Sequence, residues 1–143
     1  MDQVTRDEWR QLGFFYDYDE HTMSWRFVGC RAGLMRFVEI LESYAANPGN
    51  EGLSEHEHYG PYWYLKLTTS QEPEITDSAI CGTLIDFQRL AESIRRKLDS
   101  SVAGSTFAIG DEYRAGSKSV LQFEVREEGF DPASVDPLLS AAS

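Results

Sequence analysis

The segment His56-Glu57-His58-Tyr59-Gly60-Pro61-Tyr62 concentrates residues whose types and spacing suit chemistry: two of the chain's three histidines, a carboxylate and two phenols. In an extended backbone alternate side chains share a face, so His56 and His58 project to one side, and such a pair suits zinc or another divalent ion. A complete metal site needs a third and a fourth ligand. His21 is the only further histidine, and Glu55, Asp17 and Asp19 could contribute oxygen. The spacing also differs from HExxH, where helical geometry aims both imidazoles at one ion.

Acid–base work by a His–Glu pair is the other chemistry this composition suggests. Glu57, however, sits between the histidines and in a strand points to the opposite face. No GxSxG elbow, phosphate-cradling glycine loop or paired CxxC accompanies the stretch. One expectation is therefore a small metal-dependent or acid–base enzyme centred here. The preferred one is a segment with no catalytic residue, metal ligand or cofactor. In it Gly60-Pro61 turns the chain, a histidine donates to a backbone carbonyl, and Tyr59 or Tyr62 covers the edge of the core.

The elements that must position this segment are legible from periodicity. Thr5 and Glu8 have capping-box spacing and Gly13 follows as a stop, which predicts a short helix over about residues 5–12. Residues 14–19 and 23–29 alternate with period two around Asp19-Glu20-His21-Thr22, a strand, turn and strand with Phe14, Tyr16 and Tyr18 on one face and Phe15, Asp17 and Asp19 on the other. Leu34, Phe37, Val38, Leu41 and Ala45 fall at helical spacing between Gly33 and Ala46, and Asn47-Pro48-Gly49-Asn50 ends that helix.

The opening motif then runs from a loop into a strand at Trp63-Tyr64-Leu65-Lys66-Leu67, with Trp63, Leu65 and Leu67 inward and Tyr62, Tyr64 and Lys66 outward. Pro73 marks a turn, residues 75–81 hold a short or irregular strand, and Thr83 with Asp86 caps a second long helix with the stripe Leu84, Phe87, Ala91, Ile94 and Leu98. Arg95-Arg96-Lys97 complements the negative end of that helix. Residues 106–109 and 119–126 form a last hairpin, with Leu121, Phe123 and Val125 inward.

Hairpins alternating with helices predict an α+β fold: a two-layer sandwich with a mainly antiparallel sheet of about six strands, two long helices on one face and a short N-terminal helix. Residues 1–130 form a single domain on this reading, and residues 131–143 an extended or flexible tail, with Phe130 pinned to the body. An offset of 50 residues lays Phe14–Tyr44 over Tyr64–Ile94 and matches Leu34 with Leu84, Phe37 with Phe87, Glu42 with Glu92 and Ser43 with Ser93, which suggests a repeated topology.

Composition narrows the function classes. At 143 residues one core suffices, burying roughly two-thirds of the unfolded surface. Thirteen basic against 24 acidic residues leave a net charge of −11, a field that repels nucleic acid and anionic membrane and draws in cationic partners. Neither a leader pattern nor a run of about 20 apolar residues is present, so a cytoplasmic protein is expected. Cys30 and Cys81 stand in apolar surroundings outside any CxxC pair, which suits reduced, buried small hydrophobes.

If both helices cover one side of the sheet, the other gathers Asp17, Asp19, Arg26, Tyr62, Tyr64, Lys66, Gln122, Glu124 and Arg126. Tyrosine among charges is the composition of a protein-binding surface. At HEHYGPYWYLKL, Phe15-Tyr16-Asp17-Tyr18-Asp19 and Trp25-Arg26-Phe27-Val28-Gly29 the chain resembles small bacterial immunity proteins of polymorphic-toxin systems, over most of residues 10–132.

That resemblance implies a cytoplasmic antidote that binds and blocks a cognate toxin domain, and it brings no catalytic residues with it. A basic toxin domain is the partner expected, with neither nucleic acid nor membrane. Asp17 and Asp19 would supply charge, Tyr62 and Tyr64 buried contact area, and His56, His58 and Tyr59 the rim. A ligand-sensing or self-assembling module using the same face is a third reading.

Overall fold

The computed structural model describes residues 2–140. The fold is α+β, as the alternation of hairpins and helices predicts, but the strands divide into two four-stranded sheets in place of one of about six. The first contains β1 (Phe15–Asp19), β2 (Ser24–Cys30), β7 (Thr106–Ile109) and β8 (Val120–Arg126) in the order β1-β2-β8-β7. The second contains β3 (His56–Tyr59), β4 (Leu65–Thr69), β5 (Glu74–Ile75) and β6 (Ile80–Gly82) in the order β3-β4-β6-β5. In each sheet two antiparallel hairpins meet at a central parallel pair, β2 with β8 and β4 with β6.

This arrangement makes the chain two interlocked halves. A hairpin, a long helix and a second hairpin occur twice in the order of elements, and the second hairpin of each half joins the first hairpin of the other. The helices that follow the central strands, α2 (Arg31–Ala46) and α3 (Leu84–Asp99), are both 16 residues long and pack against each other. Their buried faces superpose at an offset of 53 residues, Leu34 with Phe87, Phe37 with Leu90, Val38 with Ala91, Leu41 with Ile94 and Ala45 with Leu98. The sequence-based offset of 50 differs by about one helical turn, and a slip of one turn preserves the hydrophobic stripe.

The local signals explain the helix ends. Thr83 Oγ1 accepts from the Asp86 N–H (3.1 Å) and the Asp86 side chain from the Thr83 N–H (2.9 Å), the expected capping box. Cys30 is the N-cap of α2, its sulfur accepting from the Gly33 N–H at 3.4 Å, so this thiol has a local structural role. The first helix, α1 (Asp2–Leu12), begins earlier than the Thr5–Glu8 spacing suggests and ends at Gly13 (φ +96°), whose N–H reaches the Trp9 carbonyl at 2.9 Å. A Cβ on Gly33 would lie 2.1 Å from the Gly13 oxygen, so only glycine lets α2 start against the end of α1.

An aromatic stack joins the first sheet to α2, with Phe27 stacked on Phe37 (4.6 Å between centroids) and on Phe123 (4.9 Å). Polar tips then tie the parts together: Trp25 Nε1 donates to the Thr76 carbonyl (2.7 Å), Tyr44 Oη to the Glu55 carbonyl (2.8 Å) and Tyr113 Oη to the Cys81 carbonyl (2.6 Å). Each aromatic buries its ring and satisfies its one polar atom on a backbone group. Among the described residues no helix is long and apolar enough to cross a membrane.

The tail differs most from its sequence reading. Pro132–Val135 forms a 3-10 turn and α4 (Pro137–Ser140) a short helix, with Ala133, Asp136 and Leu139 buried. Asp131 caps the turn through the Ala133 N–H (3.0 Å) and takes two hydrogen bonds from Arg10 (3.1 and 2.9 Å), which hold its carboxyl below the usual range. Phe130 packs on the core beneath Arg126, whose guanidinium lies 5.3 Å from the ring centre. Arg10 stands 121 positions from Asp131, so no local pattern reveals that pair; residues 141–143 of the expected tail lie outside the described residues.

Candidate partner-binding site

The HEHYGPY stretch forms β3, a tight turn and the approach to β4. The strand therefore starts at His56, earlier than expected, and the segment Trp63-Tyr64 lies before β4, not within it. Alternation in β3 places His56 and His58 on the outer face of the second sheet, beside Lys66 and Thr68 of β4 and, further across, Cys81 of β6. Glu57 and Tyr59 point to the helix side, in register with Leu67 and Leu65.

Both histidines use Nδ1 on backbone carbonyls, His56 on Ser54 (3.0 Å) and His58 on Trp63 (2.9 Å). A carbonyl only accepts, so each Nδ1 carries the proton and, in the neutral ring, Nε2 keeps the lone pair. The rings stand perpendicular, 5.4 Å apart. Among the described residues no group of three or more His, Cys, Asp or Glu side chains is placed to hold a metal ion. Burial pushes the Cys81 thiol up, with Glu74 adding to the shift and Lys66 opposing it, the reverse of what thiolate chemistry requires.

The turn that follows sets the surface. Trp63 has a left-handed backbone (φ 58°), fixed by its N–H on the Gly60 carbonyl (3.3 Å) and by His58 on its own carbonyl. This conformation costs a bulky residue about 1–2 kcal/mol, and it reverses the expected facing of Trp63 and Tyr62 while Tyr64 stays outward. Trp63, read as inward, is 67% exposed, and its ring stacks on His58 at 6.1 Å; Tyr64 is 65% exposed.

Tyr62, read as outward, is half-buried: its hydroxyl donates to Asp136 Oδ2 (2.7 Å), which also accepts from Trp9 Nε1 (2.8 Å). Asp136 is only 1% exposed. Burial and the carboxylate raise the Tyr62 phenol. Tyr59 is half-buried too, its hydroxyl donating to Glu57 Oε2 at 3.2 Å and its pKa raised chiefly by burial.

Asp17 and Asp19 belong to the other sheet. Register puts Asp17, Asp19, Arg26, Gln122, Glu124 and Arg126 on its outer face, as the alternation implies. Arg26 grips Asp17 with two hydrogen bonds (2.9 and 3.0 Å) and reaches Glu124 (3.2 Å), which Arg126 also meets (3.2 Å). Asp19 accepts from the His21 N–H (2.9 Å), which lowers its pKa. Both carboxylates are thus committed to contacts within the fold.

The structure gathers His56, His58 and Tyr64 on one exposed hairpin, and turns Tyr59 and Tyr62 into its supports. Sequence reasoning missed Trp63, although Gly60-Pro61 was a signal that the chain turns before the strand begins. Asp136 and Trp9 carried no signal of a shared contact. No family model, curated protein or solved structure matches this chain.

Proposed function

We propose that the chain is a non-enzymatic binding protein of the immunity type, acting in the cytoplasm to neutralise a cognate toxin domain by direct contact. The observation that carries this reading is the pair of exposed aromatics Trp63 and Tyr64, Trp63 set on His58 by a strained turn and Tyr64 against the Tyr62 ring. Fixed, solvent-facing aromatics lose little conformational entropy on binding and are enriched at interface centres. The net charge of −11 favours a basic partner through association rate and specificity.

Coexpression tests this function. The product of the gene next to this one should be toxic when expressed alone and harmless with this protein present. A harmless neighbour, or one that stays toxic despite coexpression, removes the immunity reading.

A further inference from the structure

The strand β3 is an edge of the second sheet. The Thr69 N–H to Glu55 carbonyl bond (2.8 Å) fixes which residues turn their main chain toward β4. By alternation Glu57 faces the ladder as Glu55 does, while the N–H and C=O groups of His56 and His58 point away from it. His56, Glu57 and His58 are all exposed. Such an edge is a template for another strand, and natural proteins commonly blunt it.

We infer that this edge receives an extended basic segment of the partner as an added antiparallel strand, bonded to the main chain of His56 and His58. The inference rests on the reading of the chain as a binding protein and adds the chemistry of what it grips. Charge decides the occupant. Glu55 and Glu57 are two positions apart and exposed on the same face; in the shallow groove of about 290 Å³ beside Glu57, Glu39 of α2 is already paired with Arg36 at 3.8 Å, so Glu55 and Glu57 are the carboxylates open to a cation.

A partner strand with arginine or lysine at alternate positions sets each cation beside a carboxylate, in the close cross-strand pairing of non-hydrogen-bonded positions. A second copy of this chain would instead set Glu57 against Glu57 and bring together two bodies of charge −11. On the opposite face the added strand would lie beside His56, His58 and the stacked Trp63 ring.

The test uses the full chain and a capped synthetic peptide of alternating arginine and valine, followed by amide NMR and hydrogen exchange. Saturable binding should slow exchange at His56 and His58 and leave Glu57, already facing the ladder, unchanged. Glu57→Lys should weaken binding about three- to tenfold. His56→Pro, which removes one outward donor from an edge position where proline is tolerated, should weaken it too. A peptide N-methylated at alternate residues, unable to pair, should not bind.

Equal binding of the methylated peptide, or no protection at His56 and His58, overturns the inference. A dimer in sedimentation with those amides protected overturns it as well, by assigning the edge to a second copy. Toxin neutralisation that survives both variants sinks this inference alone, whereas peptide binding without toxin rescue sinks only the immunity reading.

Discussion

The Tyr16 hydroxyl sits between two strands of the other sheet, donating to the Tyr59 carbonyl and accepting from the Leu65 N–H at 3.3 Å. Tyr59 and Leu65 are register partners at the end of the β3–β4 ladder, so a side chain of β1 closes a rung that the backbone leaves open. Gly60 (φ +85°) makes this possible: a Cβ there would lie 2.5 Å from Tyr16 Cε2. The wedge fixes the hairpin carrying Trp63 and Tyr64 to the first sheet.

Replacing Tyr16 by Phe removes both bonds and keeps the ring. We expect a loss of about 1–3 kcal/mol in chemical denaturation, the cost of leaving buried backbone groups unpaired. Gly60→Ala should cost more than about 1 kcal/mol, since it adds strain at positive φ to a steric clash. An unchanged midpoint in either variant would contradict the wedge.

Asp136 joins Trp9 of α1, Tyr62 of the turn and, through Oδ1, the Leu138 N–H at 2.9 Å. Asp136→Ala leaves buried donors without an acceptor and should destabilise the chain by about 2–4 kcal/mol. Ending the chain at residue 131 should lower thermal stability in the same direction. If either change leaves the melting curve in place, the segment is not part of the domain.

Trp63→Gly separates surface from scaffold. Glycine adopts φ 58° without penalty, so stability should hold or rise by up to about 1 kcal/mol. Affinity for the partner should fall by about 2 kcal/mol, as for an interface anchor. Calorimetry on the same preparation reads both quantities, and intact affinity would place the interface elsewhere.

Base should unfold the protein through its phenols. Burial pushes Tyr16 up to about 12 from its ordinary 10.0 and raises Tyr59 and Tyr62 as well. A folded-state pKa above the unfolded one stabilises below the unfolded value and is lost as pH rises toward the folded value. Stability should therefore be flat to about pH 10 and decline between 10 and 12. Tyrosinate absorbance and circular dichroism should change together; ionisation of these phenols in a still-folded chain would refute their burial.

Some of the candidate site could be read from sequence and some could not. His56 and His58 share an exposed face, as alternation requires, because period two is a property of any extended backbone. Tyr64 faces outward as read, but the facing of Tyr62 and Trp63 was not legible, since that reading assumes the strand is already running when the chain is still turning. One left-handed residue, Trp63, exchanges inward for outward, just as a one-residue slip does in a sheet.

The sequence by itself determined the α+β class, the stripes of α2 and α3 and the Thr83–Asp86 cap, because these depend on periodicity and on bonds spanning a few residues. Only the tertiary structure decided that the strands form two sheets, that residues 132–140 belong to the body, and that Trp63 stands out while Tyr62 turns in. Those outcomes hang on contacts such as Trp25 with Thr76, Tyr16 with Tyr59 and Tyr62 with Asp136. Their partners are distant in the chain, and a buried hydroxyl or indole finds its acceptor only once the core has brought the two together.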